Sequence, residues 1–278
     1  MDFHAKNVFI TGGSSGIGLA LAQEFTRLGA RLFLVARDPG KLEAAVNQLS
    51  GLGPGPITAL PADVSSPEQA KQAVETALQR AGVIDILINS AGNVIPGYVQ
   101  DIPVEAYREL IETNYLGTVY ITKAALPGMM ARRSGHIINI SSGAGFVGFM
   151  GYTAYSPTKY AVRGFTDCLR NELKPYGIQV AIVYPPDTDT PQLAYDIQHR
   201  PVEINYAMPV SVQKPESVAR AILRGIERKQ RVIIPDLGTR LFYNLFSFLG
   251  DYTFNVIDWL LESGRKKAIK AGKIPQDK

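Results

Sequence analysis

The sequence predicts a doubly wound α/β fold, a parallel sheet of about seven strands with helices on both faces. Short apolar runs alternate, from the first residues onward, with longer stretches of helical spacing. Those runs are near-continuous in Val, Ile, Leu and Phe, as strands covered on both faces require. The chain has 278 residues, 46% hydrophobic and 19% charged, enough for a sizeable core and too apolar for a disordered chain.

In order, strands are expected at 7–11, 31–36, 57–60, 84–88, 136–140, 178–183 and 232–234. Helices fill the gaps at 16–28, 41–49, 67–81, 104–133, 154–174 and 215–229. Two stretches break the rhythm. Residues 185–209 are proline-rich and expected to be irregular, after the sixth strand, where an open α/β sheet places its ligand crevice. Residues 241–261 are aromatic-rich and follow the last strand. No repeat or second core is visible, so residues 1–240 are expected to form one domain with a ligand loop at 185–210. Residues 241–278 then form a C-terminal aromatic and basic extension.

The formal charge of +4 comes entirely from residues 262–278, where six basic residues face Glu262 and Asp277. The excess therefore describes a tail and not a basic face, and nucleic acid is not expected as a partner. The single cysteine, Cys168, excludes an internal disulfide framework and is expected to be buried in a helix. His4, His136 and His199 show no ligand spacing, so no metal is expected. Residues 1–6 run directly into a strand without an apolar h-region, so neither signal peptide nor N-terminal anchor is expected, and the location is expected to be cytoplasmic. Asp251 and Asp258 interrupt the aromatic stretch, which argues against a spanning helix. With the following lysines it suits peripheral contact with an anionic bilayer surface, a subunit contact in a dimer or tetramer, or a core helix.

Residues 8–18 place Gly12, Gly16 and Gly18 between a strand and a helix. Glycines there let the backbone turn sharply and approach a pyrophosphate, which the helix N-terminus then binds. The motif predicts a dinucleotide site of Rossmann type. At the end of the second strand, an acidic residue would bond the ribose hydroxyls, but the chain has Ala36 and Arg37. Ser14, Ser15 and Arg37 suit a 2′-phosphate, so NADP(H) is expected over NAD(H). Asp38 is the contrary signal, unless it serves to cap the next helix before Pro39.

Tyr155 and Lys159 lie four residues apart on one helix face. Ketone reduction creates an alkoxide that must receive a proton, and a cation beside a phenol favours its ionised form. Lys159 is therefore expected to lower the Tyr155 pKa. Pro157 fits only if the helix begins there. Ser142, at the end of the fifth strand, can steady a developing oxyanion, with Ser141 as its competitor. Asn114 falls inside a predicted helix, where asparagine competes with the backbone, and a local distortion holding a relay water would explain it.

Together, residues 11–18, Asp63-Val64, Asn89-Ser-Ala-Gly92, Asn114, Ser142 and Tyr155/Lys159 resemble the short-chain dehydrogenase/reductase family in order and spacing. The resemblance implies that Tyr155 is the acid/base, Ser142 orients the carbonyl, and Lys159 binds ribose and shares a proton relay with Asn114. It also implies cofactor contacts from Ile17, Asp63, Val64, Asn89, Ala91, Gly92, Pro185, Thr188 and Thr190. Ser90 departs from the family's usual asparagine, and Pro185-Pro186 from its usual Pro-Gly. Residues 184–191, with 114–120, 153–156, Arg163-Gly164 and 214–216, resemble the 3-ketodihydrosphingosine reductase branch. That branch implies NADPH-dependent reduction of a long-chain lipid ketone, with 191–210 as a substrate lid. The alternatives are another apolar ketone or alcohol, such as a steroid or retinoid, and a non-catalytic NADP(H)-binding regulator. The intact set of acid/base residues argues against the last.

Overall fold

Each central strand divides its side chains between two cores. Val8, Ile10, Leu32, Leu34, Ile86 and Ile88 enter one apolar cluster, while Phe9, Phe33, Val35 and Leu87 enter another. The pleat alternates faces, and both faces are covered, so the strands read as continuously apolar. The computed structural model describes residues 2–207, 211–250 and 252–275.

The strands are β1 (Asn7–Thr11), β2 (Arg31–Ala36), β3 (Ile57–Pro61), β4 (Ile86–Asn89), β5 (Gly135–Ile140), β6 (Ile178–Val183) and β7 (Val232–Ile233). They form one parallel sheet in the order β3-β2-β1-β4-β5-β6-β7. The order reverses between β1 and β4, where the connections diverge and open a crevice at the strands' C-terminal ends.

The helices in chain order begin with α1 (Gly16–Arg27), α2 (Pro39–Leu49), α3 (Pro67–Ala81), α4 (Val104–Leu110), α5 (Gly117–Ala131) and α6 (Ser156–Leu173). They continue with α7 (Pro191–His199), α8 (Val202–Ala207), α9 (Pro215–Glu227), α10 (Leu237–Leu249) and α11 (Tyr252–Lys270). Phe25 of α1, Leu42 of α2 and Ile222 of α9 complete the first core. Val74 of α3, Ile121 of α5 and Leu169 of α6 complete the second. Asp38 and Ser66 cap α2 and α3 through Lys41 and Gln69 N–H groups, each followed by proline at the first helical position.

Three expectations need correction. The helix expected over 104–133 is α4, a π-helical turn at Ile111–Leu116, and α5. Residues 185–209 are not wholly irregular, because α7 and α8 lie within them. Pro191 occupies an opening position in α7, where its missing N–H costs nothing. Residues 208–210 of the expected loop lie outside the described residues, as does Asp251. Cys168 is exposed, since with Asp167 it takes the outer face of α6 between buried Thr166 and Leu169. The aromatic stretch belongs to two helices, α10 and α11. Phe242, Tyr243 and Phe246 of α10 join Ile257 and Leu261 of α11 in packing on Phe146, Tyr184 and Ile234. Among the described residues, no helix is long and apolar enough to cross a membrane.

Candidate active site

The floor of the crevice is backbone. Gly12 adopts φ +68°, and a Cβ on Gly18 would lie 2.2 Å from the Gly12 carbonyl oxygen, so the turn closes only with hydrogen there. Ser15 is the N-cap of α1 but gives it no side-chain cap, which leaves the first-turn N–H groups to an anion. Thr11 Oγ1 accepts from the N–H groups of Ser90 and Ala91, both at 3.0 Å, and so pins the loop after β4 to this turn. Thr11 was not anticipated, because a strand-ending threonine carries no distinctive spacing.

Asn89, expected along the cofactor cleft, turns its side chain the other way. Its amide donates to Thr122 Oγ1 (3.0 Å) and Asn139 Oδ1 (2.9 Å), and Asn139 donates to Thr166 Oγ1 (2.9 Å). Residue 89 shares the parity of Leu87, so its side chain enters the second core and supports the floor from beneath.

Asn114 lies in the π-helical turn, where the backbone distortion expected from sequence is found. Its Oδ1 accepts from Asn93 N–H (2.8 Å), and its Nδ2 donates to Asn93 O and Thr158 Oγ1 (both 3.0 Å). It thereby ties the β4 loop to α6. Gly92 passes so close that a Cβ would lie 3.2 Å from Asn114 Oδ1 and 3.3 Å from Lys159 Nζ.

Ser142 follows β5, and α6 begins at Ser156, so Pro157 falls in its first turn as required. Ser141 donates to the Lys159 carbonyl at 3.1 Å, leaving Ser142 as the cleft hydroxyl. Lys159 Nζ donates to Ile140 O at 3.2 Å and stands 5.6 Å from the centre of the Tyr155 ring. Burial pushes the Lys159 ammonium down to about 8. Burial also pushes the Tyr155 phenol up to about 12, against the opposing influence of the Ser142 hydroxyl. The expected lowering is thus reversed: desolvation outweighs any benefit from Lys159. A phenol so held stays protonated at neutral pH.

These groups open on a cleft of about 620 Å³. Gly12, Ser15, Gly16, Ile17, Gly92, Ser142, Tyr155, Lys159, Pro185, Thr188 and Thr190 line it. Thr190 also caps α7 through Leu193 N–H (3.2 Å), and its methyl group faces Gly16. Ser14, Gly18 and Ala91 are not part of this lining. Arg37 is exposed at the end of β2, and the Asp38 carboxylate is engaged with Lys41 N–H at 3.1 Å. Asp63 binds Ser65 N–H (2.9 Å) and hydroxyl (2.7 Å), while Val64 is buried against Gly117. Sequence reasoning missed Tyr152, Asp187, Asp196 and Arg200, which also line the cleft. The one trace they left is the four-residue spacing of Asp196 and Arg200.

The glycine cradle and the uncapped helix end fit a dinucleotide. Residues 6–201 match the sequence profile of the short chain dehydrogenase family. The chain belongs to that family. A Danio rerio protein named 3-dehydrosphinganine reductase is 38% identical over 81% of this chain and 69% of that protein. A Bos taurus protein named 3-ketodihydrosphingosine reductase is 39% identical over 78% of this chain and 67% of that one. The solved structure of a short-chain type dehydrogenase/reductase from Mycobacterium ulcerans has a TM-score of 0.78 at 27% identity, covering 87% of this chain and 92% of that chain. As a member of this family the chain is an oxidoreductase acting on C=O or CH–OH groups with a nicotinamide cofactor.

Proposed function

We propose that this chain reduces the 3-keto group of 3-ketosphinganine, a long-chain amino ketone, to the alcohol with NADPH. The observation that carries the reading is a cleft of mixed lining. Tyr155, Ser142 and Lys159 share it with Phe146, Phe149, Phe242, Ile204 and Leu260, which offer apolar surface to a hydrocarbon chain. The printed names of the relatives at 38–39% identity support it.

Bound along Gly12–Gly18, the reduced cofactor supplies a hydride. Ser142 holds the carbonyl oxygen, and Tyr155 gives that oxygen its proton. An alkoxide is far more basic than a phenolate, so a phenol held up near 12 remains a competent donor and is fully loaded at neutral pH. Lys159 stabilises the phenolate left behind and holds the cofactor ribose. Asn114 keeps the loop carrying Gly92 in register with α6, beside the route by which Tyr155 regains its proton. Ser14, Ser15 and Arg37 favour a 2′-phosphate, and Asp38 has one carboxylate oxygen engaged in capping α2. With the cofactor bound, Asp63 would border the adenine, and Ile17, Pro185, Thr188 and Thr190 would flank the nicotinamide end.

Substrate dissolved in lipid has to be met at its surface. Leu237, Leu241, Leu245 and Phe248 form an exposed stripe on α10, continued by Tyr252, Phe254 and Trp259, with Arg265, Lys266 and Lys267 following on α11. Such a surface suits peripheral contact with anionic lipid. Flotation on anionic liposomes checks it, and absence of binding at low salt would assign the stripe to a second copy of the chain. The primary test is NADPH oxidation by the purified protein with 3-ketosphinganine in mixed micelles, beside NADH and a short-chain ketone. Turnover specific to the long-chain ketone with NADPH is expected. Silence with that ketone, cofactor binding being intact, would overturn the substrate assignment.

A further inference from the structure

We infer that Asp196 receives the ammonium group that the substrate carries on the carbon beside its ketone, so that the enzyme selects α-amino ketones over plain ketones. The inference rests on the substrate reading above. Asp196, on α7, is 7% exposed and lines the cleft. Its Oδ2 accepts from the Tyr152 hydroxyl at 2.8 Å and from Arg200 Nη1 at 3.3 Å. Among the described residues, its Oδ1 is buried with no hydrogen-bond partner. A carboxylate oxygen taken out of water without a donor is costly, and ordinarily marks a place where a donor belongs.

The charges agree. Arg200, 9% exposed, reaches both Asp196 and, at 3.6 Å, Asp187, so this wall holds two carboxylates and one cation. Lys159 is engaged elsewhere, donating to Ile140 O, and the cation paired with Asp196 is Arg200. The wall thus lacks one positive charge, the charge of a protonated amine.

The position agrees as well. Tyr152, which holds Asp196, has its ring centre 6.2 Å from that of Tyr155, and the negative charge of Asp196 acts on the Tyr155 phenol. Asp196 and Tyr155 thus line the same cleft, in which a ketone held at Tyr155 and an amine on the neighbouring carbon would both lie. A simple latch between α7 and the loop after β6 would need only the contacts on Oδ2, and would leave Oδ1 unexplained.

The test compares Asp196→Asn with the unmodified enzyme on 3-ketosphinganine and on the same ketone lacking the amine, with NADPH affinity measured alongside. The variant is expected to lose about tenfold to a hundredfold in kcat/KM on the amino ketone, chiefly through KM, and little on the plain ketone. Equal losses on both ketones, or no loss on either, would overturn the inference and leave the substrate reading standing. Turnover of neither ketone by the unmodified enzyme would overturn that reading, and this inference with it. Should Asp196→Asn fail to bind NADPH, product inhibition of the unmodified enzyme decides. Sphinganine must then inhibit more strongly than the matching diol without the amine, and equal inhibition would overturn the proposal.

Discussion

The β1–α1 side of the cleft offers its ligand backbone, whereas the α7–α8 side offers charged and aromatic side chains. On the first side Gly12, Gly16 and Gly18 bring main-chain N–H groups to the surface, and Thr11 and Asn89 brace the adjoining loops from within the sheet. On the second, Arg200 spans Asp187 and Asp196, and Tyr98 donates to Glu203 of α8 at 2.8 Å. Backbone recognition tolerates almost no replacement, because atoms added at Gly12 and Gly18 meet main chain and Gly16 holds a positive φ. Side-chain recognition can be retuned without disturbing the sheet. The first arrangement suits a ligand shared by a whole family, and the second suits a substrate that distinguishes one member.

The largest break in this comparison lies where the two sides meet. Tyr155→Phe should lower kcat by about a thousandfold while leaving NADPH affinity unchanged in a fluorescence titration. Near-normal turnover would remove the phenol from the mechanism.

Lys159→Met should cost about a hundredfold in kcat and yet stabilise the fold. Below pH 8 the lysine is charged both folded and unfolded, so the whole cost of burying its charge falls on the native state. Between pH 8 and the ordinary lysine range the folded form sheds its proton first, and that cost fades. The methionine variant should therefore exceed the parent by on the order of 2–3 kcal/mol in urea melts at pH 7, with the gap closing as pH rises. A gap that widened with pH would refute the burial argument.

Gly18→Ala probes the backbone side. Its Cβ must displace the Gly12 carbonyl, so roughly 1–3 kcal/mol of stability should be lost, with NADPH affinity falling alongside. Unchanged affinity would mean that the turn does not bind the pyrophosphate. Arg37→Asp is the mildest. It should move the NADPH-to-NADH preference by about tenfold towards NADH without altering the melting temperature, and an unchanged ratio would place 2′-phosphate recognition elsewhere.

Much of this was legible in the chain. The seven apolar runs, the glycine turn and the Tyr155/Lys159 spacing are local signals, and each falls in its expected place in the sheet or at its C-terminal edge. Asn114 was legible as a misfit, because a residue that resists helix geometry lay where a helix was otherwise predicted. The direction of the Asn89 side chain was not legible. It depends on strand parity relative to helices that arrive more than thirty residues later.

The sequence by itself determined the strand order's raw material, the glycine turn and the four-residue spacing of Tyr155 and Lys159, because each is encoded within a few residues of contiguous chain. Only the tertiary structure decided that Tyr155 is held protonated, that Asp38 is engaged as a cap, and that Tyr152, Asp187, Asp196 and Arg200 share one wall. Desolvation and charge pairing depend on which distant segments close over a group, and residues 187 to 200 meet residue 152 only once α7 has folded back across the mouth of the sheet.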